Sequence, residues 1–174
     1  EQSAMHKAFT KEEISKLFRA VFTEPWADAV LITIYTGLRP SELLAIKTAD
    51  VSIQGRYMTG GLKTKAGKNR IIPIHNKILP FIRKRYNPDN VFLIDDKGPV
   101  SYEHYRNEFK ALMKALDMEH LPHDGRHTFA SMADSAGTNK TAVKMIMGHS
   151  SKDITERVYT HKDVDELLQN VNML

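Results

Sequence analysis

The sequence predicts a mainly α domain with a small three-stranded antiparallel sheet, an α+β arrangement, and three observations lead there. Apolar residues recur at helical spacing over most of the chain, and capping residues precede several of these stretches. Three short β-type runs, Val51-Ser52-Ile53, Tyr57-Met58-Thr59 and Arg70-Ile71-Ile72-Pro73-Ile74, fall together between helical stretches. A length of 174 residues, 41% hydrophobic and 26% charged, suits one domain with a full core.

Thr10-Lys11-Glu12-Glu13 is a capping box, with Phe9 able to staple onto Ile14, and predicts a first helix from Lys11 to about Phe22. Pro25 fits the first turn of a second helix, which carries Trp26, Ala29, Val30, Thr33 and Ile34 on one side and ends at Gly37. Pro40 opens a third helix reaching Ile46 or Lys47, so Arg39 stands at a helix entrance, where free backbone N–H groups favour anions. The three strands follow, with a glycine- and lysine-rich hairpin from Gly60 to Asn69 between the last two. Ile78 to Arg85 reads as a short helix, and Val91 to Ile94 as a short extended piece. Ser101 caps a long helix with Tyr105, Phe109, Leu112 and Leu116 on its apolar side. Pro122 breaks the chain, and a helix is expected from Arg126 to Ala136. Thr138 or Asn139 opens the next, which Gly148 stops. Asp153-Ile154-Thr155-Glu156 predicts a short helix containing Tyr159, and Asp163-Val164-Asp165-Glu166 a last one with Leu167, Leu168 and Val171 buried.

There is no cysteine, hence no disulfide and no cysteine-based zinc site. The longest apolar run, roughly Ala29 to Tyr35, is far shorter than the ~20 residues a spanning helix needs. The net charge of +4 is modest, but its placement is uneven. Between Arg56 and Tyr86 there is no Asp or Glu, while Arg56, Lys63, Lys65, Lys68, Arg70, Lys77, Arg83, Lys84 and Arg85 all fall there. A one-signed stretch of this kind is either a solvated basic face or a surface for a phosphate backbone.

Arg39, Lys63, His123, Arg126, His149 and Tyr159 each stand in a distinctive context: Thr36-Gly37-Leu38-Arg39-Pro40-Ser41-Glu42-Leu43, Lys63-Thr64-Lys65 ahead of Arg70-Ile71-Ile72-Pro73, His123-Asp124-Gly125-Arg126-His127-Thr128-Phe129, Gly148-His149-Ser150-Ser151, and Val158-Tyr159-Thr160-His161. Taken singly, a tyrosine is a core aromatic and a glycine–histidine pair a helix end. In this order, with Tyr159 ten residues after His149, they resemble the boxes of the tyrosine recombinases, the phage and transposon integrase family. The resemblance covers nearly the whole chain and departs at Gly125, where the family usually carries a larger apolar residue, a change expected to loosen the turn.

The resemblance implies the tyrosine recombinase catalytic-domain fold and DNA strand cleavage and rejoining through a 3′-phosphotyrosyl intermediate, with neither metal nor ATP as cofactor. It assigns Tyr159 as nucleophile, Arg39 and Arg126 as clamps on the phosphate oxygens, His149 as a further donor, His123 as an aid to deprotonation and a hairpin lysine as the acid for the leaving 5′ oxygen. Lys63-Thr64 looks more like the family's lysine, and Lys65 remains an alternative because the distance back from Pro73 varies. Glu42 is expected to orient Arg39 from behind, and Lys65, Lys68 and Arg70 to contact DNA. Residues 1–8 are then a linker from a missing N-terminal DNA-binding domain, residues 9–174 the catalytic domain, and 163–174 a helix available for exchange. Double-stranded DNA is the implied partner, with four protomers on two duplexes, a monomer without DNA, no membrane, and the cytoplasm of a bacterial host.

Other readings explain less. His123 and His127 have zincin-like spacing, but Asp124 replaces the motif's Glu, Gly125 weakens the helix and Arg126 would repel a cation. Gly61 and Gly67 have the wrong spacing for a P-loop, and Asn69 follows Lys68 where Ser or Thr belongs. A DNA-binding module without catalysis leaves Tyr159 and the two histidines unexplained. A tyrosine-type topoisomerase shares the catalytic logic, and exchange between duplexes separates the two.

Overall fold

The computed structural model describes residues 5–61, 69–149 and 161–174, and for positions 161 and 162 the backbone only. Helices α1 (Lys11–Ala20), α2 (Ala27–Thr36) and α3 (Pro40–Leu44) lead into strands β1 (Val51–Ser52), β2 (Tyr57–Gly60) and β3 (Arg70–Pro73). Helices α4 (Leu79–Arg85), α5 (Tyr102–Ala115), α6 (Asp124–Ser135), α7 (Lys140–Met147) and α8 (His161–Val171) follow. The sheet is antiparallel in the order β1-β2-β3, with Val51 opposite Met58, Met58 opposite Ile72 and Gly60 opposite Arg70. The expected mainly α fold with its small sheet is therefore present.

The caps explain where helices start. Thr10 accepts from the Glu13 N–H and the Glu13 carboxylate accepts from the Thr10 N–H, closing both halves of the box. Ser101 caps α5 and Asn139 caps α7. Several boundaries depart from expectation. Pro25 precedes its helix rather than opening it: Trp26 adopts φ 71° and α2 begins at Ala27. A tertiary clamp accounts for this, since the Arg85 guanidinium lies 5.3 Å from the Trp26 ring and grips Asp28 at 2.6 and 2.8 Å. Helix α6 starts at Asp124, two residues early, with His123 at its N-cap; α8 starts at His161, so Asp163 lies inside its first turn.

Helix α2 is the central rod. Nine of its ten residues are buried, as a helix apolar on every side must be, and its Thr33 and Thr36 hydroxyls donate back to the carbonyls of Val30 and Ile32. It packs between α1 and α6. The close approach to α6 depends on Gly125: a Cβ there would stand 2.1 Å from Thr33 Oγ1. The departure from the family pattern thus permits helix contact rather than loosening a turn.

Two apolar clusters share the sheet. The larger joins α1, α2, α4 and α5 to Met58, Ile72 and Ile74. The smaller gathers Ile71, Phe129, Ile146, Met147, Val164, Leu167 and Val171, so α8 packs on β3 and α7 of its own chain. The short Lys47–Phe92 bridge ties residues 91–94 to the end of the α3 segment. Among the described residues no helix is long and apolar enough to cross a membrane.

Candidate active site

Gly37 closes α2 in the left-handed conformation, φ 70°, and a Cβ there would meet the Phe129 ring at 2.7 Å. The chain turns sharply, and Arg39 becomes the N-cap of α3, which Pro40 starts. Glu42 follows one turn later, 1% exposed, and its Oε2 accepts from the Arg39 backbone N–H at 2.9 Å while its Oε1 accepts from Arg39 Nη1 at 3.1 Å. Glu42 thus bonds both the backbone and the guanidinium of Arg39. Arg39 keeps 27% side-chain exposure and turns its outer edge to solvent.

Arg126 approaches from the first turn of α6. Its Nη1 donates to Gly37 O at 2.6 Å, its Nη2 donates to Met147 O at 3.0 Å, and Nη2 lies 3.1 Å from His149 Nε2. Nη1 is also 4.0 Å from Glu42 Oε2. His149 reaches this position because Gly148 ends α7 at φ 67° and the His149 N–H returns to Lys144 O at 3.0 Å. Arg39, Glu42, Arg126 and His149, from three separate segments, therefore meet at one place.

Electrostatics follow from this crowding. Burial pushes the Glu42 carboxyl up, but hydrogen bonds from Arg70 and the Arg39 N–H, with both positive charges, outweigh it and hold it below the usual carboxylate range. Burial, then Arg39 and Arg70, lower Arg126 to about 10 against the opposing pull of Glu42, so it stays charged at neutral pH. Burial and the charges of Arg126, Arg39, Arg70 and Lys144 lower His149.

Arg70 departs from its expected place. Expected to face DNA, it is 1% exposed, its Nη1 and Nη2 donate to Glu42 Oε1 and Oε2 at 3.2 and 3.0 Å, and its Nε donates to Ile146 O at 2.7 Å. The acid-free run hides the partner because Glu42 lies 28 residues upstream. All four residues of β3 are buried, and an arginine beside Ile71 and Ile72 is the available signal. Arg85 likewise belongs to the Trp26–Asp28 clamp, so the basic stretch is divided between interior and surface. Lys63, Lys65, Lys68 and Tyr159 lie outside the described residues.

His123 caps the helix that carries Arg126, half-buried, its ring centroid 6.1 Å from that of His6. Beneath it is a polar cluster that no sequence motif announces. Asp124 accepts from the Leu121 N–H at 2.9 Å and contacts His6 Nδ1 at 2.9 Å and His120 Nδ1 at 3.0 Å. His120 Nε2 meets Glu13 at 2.9 Å, and Phe9 stacks on the ring at 3.7 Å. Residues 6–13 are thereby tied to the start of α6. His127 is exposed, and no group of acids and histidines suited to a metal occurs among the described residues.

A sequence profile of the phage integrase family matches residues 7–166. The chain is 28% identical to the tyrosine recombinase XerA of Pyrococcus furiosus over 97% of this chain and 63% of that protein. It is 31% identical to the tyrosine recombinase XerC of Actinobacillus succinogenes over 92% of this chain and 58% of that protein. In fold it is similar to the Tn1549 transposon integrase solved with a circular intermediate DNA, with a TM-score of 0.72 at 22% identity over 87% of this chain and 60% of that one. It is also similar to a lambda integrase tetramer bound to a Holliday junction, with a TM-score of 0.68 at 18% identity over 91% of this chain and 51% of that one. The chain spans less than two thirds of each of these proteins.

Proposed function

The chain belongs to the phage integrase family, and from that premise we propose that residues 9–174 are the strand-transfer domain of a site-specific DNA recombinase. The single observation that carries the reading is the convergence of Arg39 and Arg126 on Glu42 beside His149, a positive site in which Arg39 stays partly open to solvent. Preorganised donors of this kind favour a crowded, charged phosphorus centre over the relaxed diester.

In this mechanism Arg39 takes the non-bridging oxygens from the open side and Arg126 from the inner side. His149 accepts from Arg126 through Nε2, so its neutral tautomer carries the proton on Nδ1 and donates from there. The Tyr159 oxygen attacks phosphorus, and the bond to the 5′ oxygen breaks. Lys63, or Lys65, protonates that leaving oxygen, while the phenol proton is released with help from His123. The 3′-phosphotyrosyl bond retains the energy of the phosphodiester, so a 5′ hydroxyl of a second duplex reverses the step onto a new strand. Double-stranded DNA is the substrate, and exposed cations such as Lys144 supply salt-sensitive attraction to its backbone. The neighbouring lambda integrase, solved as a tetramer on a Holliday junction, supports a tetramer on two duplexes. Exchange of 163–174 within it would have to release Val164, Leu167 and Val171 from their own domain. A bacterial cytoplasm is the setting consistent with such a substrate.

Covalent trapping tests the reading. The protein is incubated, with chelator present, on DNA carrying 5′-bridging phosphorothiolates, beside Tyr159→Phe. A DNA-linked band in the wild type alone is expected. A band that persists in Tyr159→Phe removes that residue from the role. Joining to a second duplex in the same reaction distinguishes a recombinase from a topoisomerase.

A further inference from the structure

Three guanidiniums and one carboxylate meet in the core of the site, and they are not equivalent. Arg39 is open to solvent, and Arg126 is engaged mainly by backbone carbonyls. Arg70 grips both oxygens of Glu42 from the buried side and also donates to the carbonyl of Ile146 at the end of α7. Gly148 lies directly over it: a Cβ at that position would come 3.0 Å from Arg70 Nη1 and 3.1 Å from its Cζ. One side chain therefore joins the segment of Arg39, strand β3 and the turn that presents His149.

Glu42 orients Arg39 at a cost in charge, because a carboxylate paired to a phosphate-binding arginine cancels what the arginine offers. We propose that Arg70 is a positioning residue whose charge compensates Glu42, so that the carboxylate fixes Arg39 while the site still presents the full charge of Arg39 and Arg126 to a phosphate diester. The inference rests on the strand-transfer reading above. Its physical basis is burial: a charge 1% exposed is weakly screened by solvent, so Arg70 acts on Glu42 more strongly than a surface cation would. The same charge is among those that lower His149 and Arg126.

A purely structural Arg70 would also matter for folding, so the test separates charge from packing. Arg70→Met, Arg70→Lys and the charge-balanced pair Glu42→Gln with Arg70→Met are compared with wild type. Single-turnover adduct formation, DNA affinity and the His149 titration midpoint followed by NMR are measured for each. Arg70→Met is expected to slow adduct formation on the order of 10- to 100-fold while DNA affinity changes by less than about 3-fold, and to raise the His149 midpoint. Arg70→Lys, which keeps the charge, is expected to recover most of the rate. The double variant is expected to be at least about 5-fold faster than Arg70→Met and to return the His149 midpoint toward wild type, although it has lost one more native partner. A double variant no faster than Arg70→Met, or an unmoved His149 midpoint, overturns the proposal and leaves Arg70 a packing residue. Should Arg70→Met not fold, the double variant is compared directly with wild type, and a folded double variant about 100-fold slower overturns the proposal equally. Absence of adduct in the wild type sinks the strand-transfer reading, and the His149 midpoints still decide the charge compensation.

Discussion

Arg126 Nη2 lies 3.1 Å from His149 Nε2, so a donor that is charged at neutral pH holds that ring nitrogen as an acceptor. Protonating His149 would replace this bond with two opposed N–H groups.

The His149 pKa is lowered, by burial first and then by Arg126, Arg39, Arg70 and Lys144. The folded state thus binds fewer protons than the unfolded one near the ordinary histidine value of ~6.5, and stability is lost as pH falls below it. The expected outcome in a heteronuclear NMR titration is a His149 midpoint below 6.5, raised by Arg126→Gln. A midpoint at or above the ordinary value in the wild type would contradict the arrangement.

His75 supplies a second, separable acid sensitivity. Its Nδ1 accepts from the Lys77 N–H at 2.9 Å, its Nε2 is buried without a hydrogen-bond partner among the described residues, and its ring lies 4.7 Å from that of Tyr35. Burial, then Lys77 and Arg56, bring its pKa down to about 4. Its stabilising contribution is complete above pH ~6.5 and is lost as pH falls toward 4, on the order of 3 kcal/mol in all. His75→Asn keeps an acceptor for Lys77 and removes the titration. Chemical denaturation between pH 7 and 4 should then give a flatter profile than the wild type; an equally steep one would place the sensitivity elsewhere.

Asp124 holds residues 6–13 against α6. Burial raises its carboxyl, but the Leu121 N–H, His6 and His120 together lower it. Its contribution is present above the ordinary aspartate range and is lost as pH falls through the lowered value, below the window of His75. Asp124→Asn is expected to cost about 3 kcal/mol of stability and to remove the acid limb. A loss under about 0.5 kcal/mol in urea titration would mean the cluster is not coupled to folding.

Gly125 and Thr33 should behave as a pair. Gly125→Ala puts a methyl 2.1 Å from Thr33 Oγ1 and 3.0 Å from its Cβ, and is expected to destabilise by about 1–3 kcal/mol. Adding Thr33→Ala removes the nearer clash and should restore part of that loss, a non-additivity read from the four-corner cycle. Strict additivity would show that α2 and α6 adjust independently.

Where the chain carries its instructions locally, the sequence is readable. Thr10, Ser101 and Asn139 open their helices, Gly37 and Gly148 close theirs, and Arg39 stands at a helix entrance as expected. The misses share one cause, a distant partner. Trp26 leaves the helix because Arg85 from α4 clamps it. Arg70 reads as a surface cation until Glu42 is brought beneath it. His120 stands in no motif, and its place shows only when Glu13 and Asp124 close on its two nitrogens. Gly125 reads as a weakness because its neighbour Thr33 is 92 residues earlier.

The Glu42 hub also bears on the order in which the chain is made. Arg39, Glu42 and Arg70 leave the ribosome before Arg126, the Ile146 carbonyl and Gly148, which complete and cover the hub. Contacts of such long sequence separation form late. A chain cut short before residue 126 therefore holds these cations without the geometry that aims them, and the meeting of Arg39, Arg126 and His149 waits until the turn at Gly148 has been made.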